Sequence, residues 1–326
     1  MNKLIELFRR AKVEPGNIRF FTPNGDLRAT HKGSSSVRGL IDLNGDTLPK
    51  IQKTDGTLKR APSGTPAVEN LKIDAAILRQ SLVAQAGAEI IIYKDPAQAI
   101  STGLEGDVVM ASKPAYFETF EAAPFALVAD GDEVTVTPLP INRATIHVDA
   151  TGGLQTHTGI YGLRFEFSRA TLKSYPSIED AIMHAIVQGL ARTADAVLMA
   201  EIIAGTPQPD VNNVAQPNIP LSSFSLAAAA AAGVRMSELR GLVGTSGHGA
   251  AIDQSGALRA AGIAAELTPD MAATIVGSFA RSAVMIRSDV DVIVDRTNIN
   301  GTLAVTAWAG LQALVPDATR FWTVGA

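Results

Sequence analysis

Between Pro176 and Gly205 the chain reads "PSIEDAIMHAIVQGLARTADAVLMAEIIAG", and no other stretch restricts the fold as strongly. Ser177 is placed to cap a helix, with Asp180 three residues on, a capping-box arrangement in which Asp replaces the usual Glu. Apolar residues recur at Ile178, Ile182 and Ile186, and at Met183, Val187, Leu190, Ala194, Leu198 and Ile202. Gly205 followed by Pro207 ends the run. The pattern predicts one helix over 178–203, about 39 Å long at 1.5 Å per residue. That is a structural beam, longer than most globular helices.

The segments around the beam are of a different kind. "EVTVTPLPINRATIHV" (133–148) and "GIYGLRFEF" (159–167) are β-rich runs separated by the polar, glycine-rich "DATGGLQTHT". They predict a long hairpin with a mobile tip. Pro138 and Pro140 cannot donate to a ladder, so the hairpin is expected to project rather than lie inside a sheet. After the beam, "TPQPDVNNVAQPNIPL" (206–221) carries four prolines and marks a crossing or surface loop. The alanine run 227–232 is helix-compatible and stopped by Gly233, and two further helical patches are expected near 254–265 and 268–277. "AVMIRSDVDVIVD" and "GTLAVTAWAGLQALV" then predict strands around a turn at Asn298–Gly301. Helices and strands do not alternate as regular βαβ units, so the class is α+β.

The first hundred residues differ again. A short amphipathic helix is expected over 1–12, with Leu4, Ile5, Phe8 and Ala11 on one face, before Pro15-Gly16. Asn24-Gly25, Asn44-Gly45 and Asp55-Gly56 are hairpin-turn signals flanked by short runs of mixed polarity. Such hairpins bury little alone and must lean on a neighbouring domain or another subunit. From about residue 104 the sequence looks compact.

Charge is divided along the same line. Residues 1–73 carry 13 Lys+Arg against 7 Asp+Glu, and residues 74–326 carry 15 against 25, so a segment of net +6 precedes one of net −10. A basic leading segment suits nucleic acid, an acidic neighbouring subunit, or simply solvent. With 326 residues, 46% of them apolar, the chain buries a sizeable core, and its length suggests about two domains. The absence of cysteine excludes disulfide frameworks, thiol nucleophiles and thiolate zinc sites. "MNKLIELFRRAKVEPG" has too short an apolar core for a signal peptide, and no run reaches the 18 apolar residues or so that a membrane span needs, so synthesis in the cell interior and no membrane partner are expected.

Several motifs are candidates for chemistry. "GLVGTSGHGAAI" (241–252) sets Ser246 and His248 among four glycines, inviting a serine hydrolase reading. The nucleophile elbow needs glycine two residues after the serine, where His248 stands. A phosphate loop needs a Gly-Lys pair, which the chain lacks, and a dinucleotide fingerprint needs glycine where Ile252 stands. A backbone bend is therefore the expected role. The histidines His31, His147, His157, His184 and His248 form no metal-binding spacing. Asp289, Asp291 and Asp295 share one face of a strand whose other face is Val290, Val292 and Val294, a row that suits a divalent cation or, more simply, the wet side of a half-buried strand. "DLNGD" (42–46) misplaces the glycine of a calcium loop and has Lys53 where its glutamate belongs. Aromatics at 5% leave little for a single-strand nucleic-acid surface. No catalytic residue, cofactor site or metal site is assigned.

Three segments, in order, resemble the HK97-fold major capsid proteins of tailed double-stranded DNA bacteriophages. Residues 162–207, "GLRFEFSRATLKSYPSIEDAIMHAIVQGLARTADAVLMAEIIAGTP", look like the descending E-loop strand, its polar turn and the spine helix. Residues 275–295, "IVGSFARSAVMIRSDVDVIVD", are similar to the strand leaving the A-domain, and residues 302–324, "TLAVTAWAGLQALVPDATRFWTV", to the closing strands. The resemblance covers roughly 104–326. It implies an N-terminal extension and N-arm over 1–103, an E-loop over 131–168, an A-domain over 208–284, and a P-domain from 104–130, 169–207 and 285–326 that includes the spine helix 178–203.

Function would then be self-assembly into pentamers and hexamers that close as an icosahedral shell around double-stranded DNA, in a virion assembled in the host bacterial cytoplasm. The implied partners are further copies of the chain, met through N-arm, E-loop and P-domain, scaffolding, portal or decoration proteins, and DNA held non-specifically on the inner face. An encapsulin-type nanocompartment, of the same fold with protein cargo, is the alternative. Some members of the family crosslink an E-loop lysine to a neighbour, but residues 131–172 contain none, which predicts a non-covalent shell. Some also carry a long helical scaffolding segment at the N-terminus. Residues 1–103 lack sustained heptads, so a separate scaffolding protein or unaided assembly is expected.

Overall fold

The structure is a computed structural model that describes residues 16–17, 20–21, 27–28, 32–33, 36–42, 69–72, 81–93, 115–120, 126–128, 141–146, 159–175, 178–205, 219–287, 289–296 and 302–324. Two-residue strands at Gly16–Asn17 and Lys32–Gly33 pair antiparallel, as do Phe20–Phe21 and Leu27–Arg28. The longer strands that follow are β1 (Ser36–Asp42), β2 (Glu69–Lys72), β3 (Glu89–Tyr93), β4 (Ala115–Phe120), β5 (Ile141–Ile146) and β6 (Gly159–Phe167). There follow β7 (Ile219–Pro220), β8 (Leu239–Val243), β9 (Ala250–Ile252), β10 (Leu258–Ala260), β11 (Ile263–Leu267) and β12 (Thr274–Ser278). The last are β13 (Ala283–Arg287), β14 (Asp289–Arg296), β15 (Leu303–Leu314) and β16 (Phe321–Val324). The helices are α1 (Leu82–Gln85), α2 (Arg169–Ser174), α3 (Ile178–Ala204) and α4 (Leu226–Ala231).

The expected beam is α3, 27 residues long. Gly205 closes it with φ +57° while its N–H donates to the Glu201 carbonyl at 3.0 Å, the left-handed helix stop for which glycine is suited. The Ser177 cap lies outside the described residues. Ile182, Ile186, Leu190, Ala194, Leu198 and Ile202 are buried along one face, and His184, Gln188 and Arg192 point outward.

That face lies on a seven-stranded sheet ordered β2-β1-β14-β15-β13-β3, with β6 also paired to β15. β15 explains why the beam sits there. Its odd-numbered residues, Leu303, Val305, Ala307, Ala309, Leu311 and Ala313, share one core with the helix, and of its even-numbered ones Ala304 and Leu314 are fully buried too. A strand covered on both faces reads as a continuous apolar run, as "LAVTAWAGLQAL" does. β13 and β14 run in one direction antiparallel to β15 with a bulge between them: from Ile286 to Asp291 is five steps, while their partners Leu311 and Trp308 are three apart. Val290, Val292 and Val294 face the core, as the alternation predicts. The N-terminal segment leans on the chain itself, β1 pairing antiparallel with β14 and β2 parallel with β1. The expected helix over 1–12 and the turns at Asn44-Gly45 and Asp55-Gly56 lie outside the described residues.

Two expectations are corrected. The runs 133–148 and 159–167 do not pair with each other where they are described: β5 pairs with β4, and β6 with β15 from Gly159↔Leu311 to Phe167↔Leu303. The cause is side-chain demand. Leu163, Phe165 and Phe167 pack against the helix-side core, so β6 takes the ladder that carries it there. Ala144 and Ile146 of β5 instead pack on Met285 and Leu314, on the opposite face of the sheet. The remainder of that stretch, 133–140 and 147–158, lies outside the described residues.

Nor are 254–265 and 268–277 helical, since they hold β10, β11 and the start of β12. "ALRAAGIAAEL" has strong helix propensity, but Ala261 and Gly262, both at positive φ, reverse the chain between β10 and β11, and pairing to β8 outweighs propensity. These strands belong to a second seven-stranded sheet, ordered β7-β16-β12-β8-β11-β10-β9. Trp322 is fully buried in its core and meets Phe224 edge-on at 5.1 Å. Phe321, its neighbour, faces the other way and stacks edge-on with Phe279 at 5.4 Å in the helix core, so the chain end stitches the two sheets together.

Candidate functional site

The glycine-rich loop after β8 shows what the serine and histidine do. Ser246 Oγ donates to the Ala272 carbonyl at 2.7 Å and accepts from the His248 backbone N–H at 3.4 Å. Gly244, Thr245 and Ser246 all donate their N–H groups to carbonyls of 271–273. The serine hydroxyl therefore ties two loops together and is committed to main chain. A Cβ on Gly244 would lie 2.3 Å from the Ala273 carbonyl oxygen, so the close approach of these loops requires glycine there. Gly249, at φ +72°, packs under Leu221.

Of the other candidates, His184 and His248 are exposed, and His31, His147 and His157 lie outside the described residues, as do positions 43–46 and Lys53. Asp291 and Asp295 lie on the face of β14 away from the helix, both half-buried. Burial pushes the Asp295 carboxyl above the usual carboxylate range, and Arg164 pulls it partly back. Among the described residues no group of three or more histidines and carboxylates is placed to hold a metal ion. No helix among them is long and apolar enough to cross a membrane.

The most constrained polar group is one that sequence reasoning passed over. Asp195, two-thirds of the way along α3, is 2% exposed. Its carboxylate accepts from Leu82 N–H at 3.1 Å and Val83 N–H at 2.9 Å, the first amides of α1, while Ser81 caps the same turn through Ala84 N–H at 3.1 Å. Desolvation raises the Asp195 pKa, opposed by the hydrogen bonds from Val83, Leu82 and Ser81. One turn earlier on the helix, Arg192 pairs with Asp270 in the loop before β12. Positions 192 and 195 thus fasten the beam to the leader of β3 and to the second sheet.

A second unforeseen feature is apolar surface around β6. Ile160, Tyr161 and Trp308 are exposed, and a cavity of about 110 Å³ opens between β6 and the beam, lined by Tyr161, Leu163, Ile186, Gly189 and Leu190 among others. Exposed apolar residues also occur at Phe120 and Leu127, and in the second sheet at Ile252 and Leu267. These last four side chains lie open to solvent.

No protein-family model matches the chain, and no curated protein matches it in sequence. Solved structures similar to it include those of capsids. The capsid of a native GTA particle is 14% identical over 86% of this chain and 100% of that one, with a TM-score of 0.43. The mature capsid of bacteriophage PhiM1 is 10% identical over 86% and 98%, with a TM-score of 0.45. The satellite phage P4 procapsid, whose structure includes the size determination protein Sid, is 10% identical over 77% and 96%, with a TM-score of 0.41.

Proposed function

We propose that the chain is a major capsid protein that self-assembles into the shell of a bacteriophage virion. The observation that carries the reading is convergence. The three segments whose order resembles the capsid family, 162–207, 275–295 and 302–324, fold into one frame in which β6, α3, β13, β14 and β15 share a core. Apolar residues left open on that frame and on the second sheet are surface that neighbouring copies would cover.

On this reading the N-arm comprises 1–103, the E-loop 131–168, the A-domain 208–284, and the P-domain the remainder around α3. Pentamers and hexamers close around double-stranded DNA held non-specifically inside, with scaffolding, portal or decoration proteins as further partners, and assembly takes place in the host bacterial cytoplasm. The role is structural, in keeping with a Ser246 hydroxyl that is committed to main chain rather than poised as a nucleophile.

Electron microscopy and sedimentation of the overexpressed chain test this. Shells, tubes or capsomers are expected, and a strict monomer across protein and salt concentration overturns it. Shells isolated with protein cargo and without nucleic acid would instead select the encapsulin-type alternative.

A further inference from the structure

We infer that β6 is a self-pairing edge, adding antiparallel to β6 of a second copy about a two-fold axis at Leu163. The inference rests on the shell-protein reading for its second copy. One edge of β6 is bonded to β15 along its whole length, and among the described residues nothing pairs with the other. Ile160 and Tyr161 are 54% and 38% exposed beside it. A nine-residue edge without proline, lysine or a bulge lacks the usual guards against strand addition. Its charges are internally matched, since Arg164 donates to Glu166 through Nε at 3.1 Å and Nη2 at 2.8 Å.

The helix-side face beside this edge is apolar, and the far face sets Ile160 and Trp308 beside the Arg164–Glu166 pair. On the helix side, Tyr161 and Leu163 line the cavity, and Gly189 leaves it open at a mid-helix position where alanine would be the better helix former. On the other side, Trp308 is 45% exposed and its ring lies over Gly162, where a Cβ would be 2.7 Å from Cζ3. The occupant is therefore a strand with apolar residues on one face and a group suited to an indole on the other.

β6 itself meets that description. Leu163 is the midpoint of 159–167, so centring there overlaps the whole strand. It sets Leu163 against Leu163 and Tyr161 against Phe165 of the second copy on the helix side, filling toward the cavity. On the far side it sets Gly162, and hence the Trp308 ring above it, against Arg164 of the second copy, a cation–π contact made twice by symmetry. Moving the centre one residue, to position 164, would oppose Arg164 to itself, and like charges directly opposite are destabilising.

The cysteine-free chain gives a direct test. Directly opposed Cβ atoms lie about 4.5–5.5 Å apart, close to disulfide reach, whereas Phe165 and its own copy would be offset by about 13 Å along the strands. Copper–phenanthroline oxidation followed by non-reducing electrophoresis is expected to convert Leu163→Cys to a covalent dimer. A mixture of Tyr161→Cys with Phe165→Cys should give a heterodimer, and Phe165→Cys alone should stay monomeric. Arg164→Glu in the Leu163→Cys background should abolish the dimer while circular dichroism still shows the folded chain. Absence of a dimer at 163, or equal dimer at 163 and 165, overturns the pairing. If Leu163→Cys does not fold, the mixed pair decides. If no particle forms under any condition, the shell reading fails, while the thiol trap on the unassembled chain still decides for or against the edge.

Discussion

Replacing Asp195 by alanine is the most informative perturbation of the frame. The carboxylate is buried and accepts from two backbone amides of α1, so truncation orphans both N–H groups at 3.1 and 2.9 Å. Each unsatisfied buried donor costs about 1–3 kcal/mol. Losing the charge returns part of this, because the carboxylate is itself desolvated. A net destabilisation of about 2–4 kcal/mol follows, and Asp195→Asn, which keeps one carbonyl acceptor, should cost about half as much. Denaturant unfolding gives the total, and amide exchange at Leu82 and Val83 localises it. The pH dependence is the sharper check. A carboxyl whose folded pKa is raised binds its proton more readily in the folded state, so its contribution is most favourable below the unfolded value, near 3.9, and declines as pH rises through the folded value. Wild type should therefore lose stability relative to Asp195→Asn over that interval. A gap that widens with rising pH would show that hydrogen bonding, not desolvation, governs the site, and would refute the reasoning.

The loop after β8 should rank its glycines by space as well as by φ. Gly244→Ala, forced against the Ala273 carbonyl, should lower stability by about 3 kcal/mol or more. Gly247→Ala, with positive φ but open space around it, should cost about 1–2 kcal/mol, and Ser246→Ala about 1 kcal/mol, all read from thermal unfolding. Equal losses at Gly244 and Gly247 would contradict this. Asp253 accepts from the Ser255 hydroxyl and N–H, the Ala257 N–H and Arg259 Nε, which hold its carboxyl well below the usual range. NMR titration should find it still ionised near pH 3.9, where an ordinary aspartate is half protonated, and its tie of the β9–β10 hairpin should be lost only as pH falls further. Because residues 131–172 contain no lysine, denaturing gels of purified particles should show monomer alone. A ladder of covalent multimers would overturn the non-covalent shell.

What could be read from the chain alone followed from how local each signal is. The beam was legible because its pattern repeats over seven turns and ends in a glycine that only a left-handed stop explains. β14 was legible because valine and aspartate alternate with the sheet's own period. The partner of a strand is a different matter. "GIYGLRFEF" fits any ladder, and its pairing with residues 303–311 was decided by where Leu163, Phe165 and Phe167 could be buried. The alanine-rich 257–267 stretch misled for the converse reason: with side chains too small to define a face, its local propensity pointed to helix while β8 offered a ladder.

Asp195 shows the same division at the level of one residue. In a helix pattern an aspartate between Ala194 and Ala196 reads as a solvated position, and nothing nearby in the sequence corrects that. Its partners, Leu82 and Val83, are more than a hundred residues earlier, in a segment whose only local sign is a serine before "LVAQ". The carboxylate is buried because that short helix needs acceptors for its first amides and lies against the beam where Asp195 can supply them. Groups that fix how segments meet are set by pairs distant in sequence. In a chain whose proposed work is to meet copies of itself, those groups, with the open edge of β6, hold more of the function than the Ser246–His248 pair that first invites a mechanism.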